Sequence, residues 1–188
     1  KLMKLIKTAS AIALACSSSV LMAQTIDIQI TNLTHAQHFT PRLVIAHDNT
    51  VDAFEPGVEA TSALAWLAEA GVIDDAQNAA SSGQNFEALL GPTDTDNTSN
   101  TWHRIDGLSA PSTTENYTFD TMDKTHLSIL AMLIPTNDAF AGLDSIKIPT
   151  TPGTYTYMVN AYDAGTELND ELNDKLNTKS QNKSQNNA

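Results

Sequence analysis

Residues 125–134, T-H-L-S-I-L-A-M-L-I, are apolar on both faces of an extended chain, and no other segment restricts the fold as much. A strand of this composition has to be covered on two sides, so it belongs at the centre of a layered β structure. Shorter runs supply its neighbours. In Thr25–Thr31, Ile26, Ile28 and Ile30 alternate with Asp27 and Gln29, the pattern of a half-buried strand. Residues 41–47 (P-R-L-V-I-A-H) form a continuous apolar run that fits a strand covered on both sides. Tyr117 and Phe119 alternate with Asn116, Thr118 and Asp120. Residues 154–162 (T-Y-T-Y-M-V-N-A-Y) alternate again, with Tyr155, Tyr157, Val159 and Ala161 expected on the inner face.

One stretch breaks this rhythm. Residues 60–71 (A-T-S-A-L-A-W-L-A-E-A-G) carry helix formers, a cap at Thr61 or Ser62 and a glycine stop. Leu64, Leu67 and Ala68 share one face, which predicts a short helix on the edge of a sandwich. Residues 76–90 are expected to add another helical turn or two, and residues 91–100 are a loop by composition. Strands, turns and short helices together predict an all-β protein, an antiparallel β-sandwich with one or two short helical insertions.

The first 23 residues put Lys1, Lys4 and Lys7 ahead of an apolar, small-residue stretch ending near Ala23, the layout of a secretory signal peptide. The apolar core is too short to span a bilayer, so no transmembrane segment is expected in the mature chain. Ala13-Leu14-Ala15-Cys16 is a lesser alternative as a lipid-attachment box, since its leucine sits one place late. Without these residues, seven basic and 22 acidic ones remain, a net charge of −15 that repels nucleic acid. The only cysteine is Cys16, so the remainder is expected to have no disulfide. Residues 24–170 are long enough for one domain with its own core. Residues 171–188 are polar and Asn-rich, and are expected to be a disordered tail. The expected location is secreted or periplasmic.

Two loops carry chemistry. The first, I-P-T-N-D-A-F-A-G, follows the central strand and presents Asp138; the second, Y-D-A-G-T-E, presents Asp163 and Glu167. A short extended piece at 145–148 lets the chain run back between them, so both loops are expected at the same end of the sandwich. Three carboxylates brought together repel unless a cation or a proton lies between them. Calcium suits such a set, because it takes six to eight oxygens and tolerates irregular loops; zinc would want His or Cys. On composition and spacing alone, solvated loop charges remain the plainer reading.

The residues also resemble a known family. P-T-N-D-A-F-A-G-L is similar to the P-S-P-D-W-x-x-G-L segment of the spondin N-terminal domain, and Y-D-A-G-T-E-L-N-D to its W-D-A-G-T-D loop. F-T-P-R-L-V-I-A-H-D, followed by F-E-P-G-V-E-A-T-S-A-L-A-W-L-A-E-A-G, resembles the bacterial members. The resemblance implies a β-sandwich related to calcium- and lipid-binding sandwiches, an extracellular location and an adhesive or matrix-binding role. It also implies a calcium ion (Ca2+) held by Asp138, Asp163 and Glu167. Partners would be a surface or matrix protein, a glycan or a lipid headgroup. Glu167 departs from the family's usual Asp and reaches one methylene further. The family also continues past this loop with more β structure, where this chain turns polar.

Rival chemistries are weaker. Residues 94–100 begin like a calcium loop but put Ser99 and Ile105 where Gly and Glu are needed. His35, His38 and His47 lack further zinc ligands at standard spacing; a structural hydrogen bond is the simpler role for His47. Trp66 falls on the helix and Trp102 beside a polar loop, which leaves no evident sugar platform. Catalytic motifs are missing, so the chain is expected not to be an enzyme. A structural envelope component, in which calcium only stabilises the fold, is the main alternative; an uncharacterised hydrolase is the second.

Overall fold

The computed structural model describes residues 24–91 and 101–168. The expected signal peptide with Cys16, the 94–100 run and the polar tail all lie outside the described residues. In chain order the elements are β1 (Thr25–Thr31), β2 (His38–Phe39), β3 (Arg42–His47), α1 (Ser62–Ala70), a 3-10 turn (Ala79–Ser81), α2 (Phe86–Leu90), β4 (Thr101–Ile105), β5 (Thr114–Asp120), β6 (His126–Ile134), β7 (Ala139–Lys147) and β8 (Asn160–Asp163).

Among the described residues the strands form two antiparallel sheets. One is the β1–β5 ribbon; the other has six strands in the order β4-β3-β6-β7-β8, with β2 also paired to β6. β6 is central, flanked by β3 with Leu43 opposite Leu130 and by β7 with Leu130 opposite Gly142. Its apolar character on both faces follows from what covers it. On one side Val44, Ala46 and Leu127 of the larger sheet pack against Ile28 and Phe119 of the ribbon. On the other, Leu43, Ile45, Leu130 and Phe140 pack against Leu64, Leu67 and Ala68 of α1 and Phe86 of α2. β3 is buried at every position for the same reason. The protein is therefore an all-β sandwich with a helical layer added to the outer face of its larger sheet.

α1 starts and stops where its sequence signals lie. The Thr61 side chain accepts the Leu64 N–H, and Gly71 ends the helix at φ 65°. Its position differs from expectation: it lies across the face of the sheet, against β6 and β7, and not on an edge. The reason is its apolar breadth, since Ala63 and Trp66 are buried together with the three predicted residues.

Two strand readings also change. T-W-H-R-I is a strand, β4, with Trp102 buried and its indole N–H donating to the Gly91 carbonyl at 2.9 Å. Trp102 is thus a core residue and no loop platform. The Tyr-rich strand is shorter than expected and faces the other way. Only Asn160–Asp163 pair, and it is Tyr162 that packs inward on Phe54 and Phe140, while Tyr155, Tyr157, Val159 and Ala161 are exposed. The ladder pairs Tyr162 with Phe140, and that pairing sets the parity. Gly142, two residues beyond Phe140 on β7, leaves room for Phe54: a Cβ there would meet its ring at 2.6 Å.

The two layers are also tied by a buried cation. Arg42 on β3 donates to the Tyr117 hydroxyl and the Gly107 carbonyl, each at 2.7 Å, and its Nη2 lies 2.9 Å from Glu115 Oε2. Burial pushes the Tyr117 phenol above its ordinary value, Arg42 opposes that, and Glu115 adds to it. The folded state thus resists losing this proton. Its contribution is complete below the ordinary tyrosine value and is lost as pH rises through the raised one. We expect unfolding midpoints followed from pH 8 to 11 to fall more steeply at the alkaline end for the parent than for Tyr117→Phe; parallel curves would contradict this.

Candidate metal-binding loops

β6, β7 and β8 are consecutive antiparallel neighbours, so β6 and β8 run parallel and release their loops at the same end of the sheet. The up-down-up expectation holds. β7 starts earlier than its predicted extended piece, directly after Asp138, which puts Ala139 opposite Asp163 in the ladder.

The two loops are bonded to each other through Asp138, which is 2% exposed. Its Oδ2 accepts the backbone N–H of Thr166 at 2.8 Å, that of Glu167 at 2.9 Å and the Thr166 hydroxyl at 3.3 Å. Its backbone carbonyl accepts the Ala164 N–H at 3.1 Å. Three donors converging on one oxygen is an arrangement suited to a carboxylate, which only accepts when ionised. Within the second loop, Asp163 Oδ1 accepts the Gly165 N–H at 2.7 Å and closes the D-A-G turn. In the first, the Thr136 hydroxyl accepts the Ala139 N–H.

Asn137 adds a further bond and an anomaly. Its side-chain amide donates to the Leu168 carbonyl, across the gap between the loops, while its Oδ1 is buried without a hydrogen-bond partner. An orphaned buried acceptor costs about 1–3 kcal/mol and calls for an explanation. Asn137 directly precedes Asp138 in the same loop. Sequence reasoning passed over Asn137 because asparagine in a turn is ordinary.

The geometry brings Asp138 and the 163–167 loop together, with oxygen atoms as the side-chain acceptors, a donor set that fits a hard cation. It does not gather the three carboxylates into a cage: among the described residues no group of three His, Cys, Asp or Glu is arranged to hold a metal. His35 is exposed and His38 half-buried. His47 is fully buried, and its ring nitrogens lie 2.7 Å from the Asp48 carbonyl and 2.8 Å from the Ser128 hydroxyl, the structural role expected of it.

The clamp makes a differential prediction. Asp138→Asn leaves a neutral carbonyl oxygen to accept from three donors at a buried position, with its amide group in place of the other carboxylate oxygen, and a loss of about 1–3 kcal/mol is expected. Asp163→Asn keeps an acceptor for the Gly165 N–H at an exposed position and is expected to stay within about 0.5 kcal/mol. Denaturant midpoints measured without added metal check both; equal losses would mean that Asp138 is no more of a keystone than its neighbour.

Among the described residues no helix is long and apolar enough to cross a membrane. A search of curated proteins finds no match to the chain. Residues 30–185, however, match the family model described as Spondin_N, a span that holds both acidic loops and continues past residue 170 into the polar segment. With most of its length matched, the chain belongs to the spondin N-terminal domain family.

Proposed function

We propose that this protein is an exported, non-catalytic calcium-binding module that attaches to a surface or matrix. Asp138, Asp163 and Glu167 would hold the ion, with Asn137 Oδ1 as a further oxygen ligand. The observation that carries the reading is the joining of the two acidic loops through Asp138, in a loop that also holds the orphaned Asn137 oxygen. Bound calcium supplies positive charge and fixes its oxygen ligands in place. The chain's own part is to present two loops at one end of the sheet, at the ends of the parallel strands β6 and β8 that flank β7, so that rigidity gained there passes into the sheet. The partner would be a surface or matrix protein, a glycan or a lipid headgroup. Nucleic acid is disfavoured by the excess of acidic residues.

One observation favours a second reading. The loops are already bonded to each other by backbone donors, which suits an envelope or matrix component in which the ion only stabilises the fold. Asp163→Asn separates the two. Loss of calcium-dependent surface attachment by a protein that stays folded supports the binding module; retained attachment supports the structural role.

A further inference from the structure

β8 pairs with β7 only from Asn160 to Asp163, opposite Ala139–Gly142. β7 continues to Lys147, and beyond Gly142 no described strand pairs with its outer side; the edge bends at Ser145, at φ 51°, where the Asp144 and Ser145 side chains bond to residues 51–53. The chain that would continue the ladder, residues 154–159 (T-Y-T-Y-M-V), peels away instead. Among the described residues it makes no backbone–backbone hydrogen bond, and Tyr155, Tyr157, Met158 and Val159 are all exposed, Met158 to 76%. Unpaired backbone with exposed apolar side chains of high β propensity forms a template for another strand.

An open groove of about 510 Å³ lies at the fork, lined by Asp52, Phe54, Glu55, Asp144, Met158 and Tyr162 among others. Among the described residues no lysine or arginine lines it. The Phe54 and Tyr162 rings lie 4.9 Å apart and each contacts Phe140, so their faces are taken up with one another and not offered to a sugar. A second copy would bring a second set of carboxylates against the first, and like charges disfavour that pairing. The unpaired backbone makes the place a site, and its acidic rim selects what fits.

We propose that this fork is a strand-acceptor site for an extended segment of a partner protein that carries lysine or arginine at alternating positions. Backbone bonds to the open edge of β7, from Leu143 to Lys147, would supply the binding, and Asp52 and Glu55 at the rim the preference for cations. The site lies along the sheet, away from the Asp138 loop, and does not rest on calcium.

The test uses the full chain and an end-blocked hexapeptide alternating lysine and valine, followed by calorimetry and amide exchange. Binding is expected to slow exchange at residues 143–147 and to weaken about tenfold with the exposed Glu55→Lys. It should be lost when the peptide's backbone nitrogens are methylated. Four results would overturn the proposal: no binding at millimolar peptide, equal binding of a glutamate–valine peptide, indifference to Glu55→Lys, or a dimer that excludes the peptide. Amides of residues 154–159 already protected in the free chain would overturn it too, by showing that the fork closes on itself.

Discussion

Replacing Phe140 by alanine is expected to destabilise the fold by about 3–5 kcal/mol, the range for removing a buried phenylalanine. The side chain is 2% exposed and packs among Leu43, Ile45 and Leu130. It meets Phe54 edge-on at 5.1 Å and stacks on Tyr162, its ladder partner, at 5.5 Å. The vacated space would open in the core that Phe140 shares with Leu64, Leu67 and Ala68 of α1. The effect should also reach the loops, since Phe140 lies two residues beyond Asp138 and Tyr162 directly precedes Asp163. A thermal midpoint lower by roughly 10 °C is expected, with most of the loss recovered in Phe140→Leu. A shift of only about 2 °C would mean that the aromatic cluster contributes little beyond its neighbours.

Arg42→Met should be nearly as damaging, for a different reason. Arg42 is 1% exposed and ties the larger sheet to the ribbon through Glu115 and Tyr117. Removing the cation leaves the Gly107 carbonyl and the Glu115 carboxylate without it. Glu115 is still 28% exposed, so the loss should fall at the lower end of the roughly 3–5 kcal/mol typical of breaking a buried pair. Adding Glu115→Leu removes the stranded charge, and the double variant is expected to be more stable than Arg42→Met alone. Strictly additive losses in denaturant titrations would show that the two side chains are not coupled.

How much of this was legible in the sequence depended on whether a residue's surroundings are written into its own neighbourhood. β1, β3, β6 and α1 were readable because period and composition report burial directly: Ile26, Ile28 and Ile30 line one face, and 125–134 line both. β4 escaped because Trp102 and Arg104 share one face while His103 and Ile105 share the other, so no amphipathic contrast appears. The Tyr-rich segment misled because tyrosine occurs at both parities, and only the pairing of Phe140 with Tyr162, remote in sequence, decides which faces inward. In the loops, Asp138, Asp163 and Glu167 stood out as acids at strand ends. The clamp on Asp138 did not, because it is built from the backbone N–H groups of Thr166 and Glu167, which any sequence supplies.

We propose that these loops hold calcium, and the decisive measurement is thermal unfolding with and without millimolar calcium, on the parent chain and on Asp163→Asn. A ligand that binds only the folded state must raise the midpoint by mass action. A calcium-dependent rise is expected in the parent and is expected to be lost in Asp163→Asn, although the two unfold together in the absence of metal. No rise in either protein, with elemental analysis finding no metal already bound, would contradict it and leave Asp138, Asp163 and Glu167 as the acids of a hydrogen-bonded loop clamp alone.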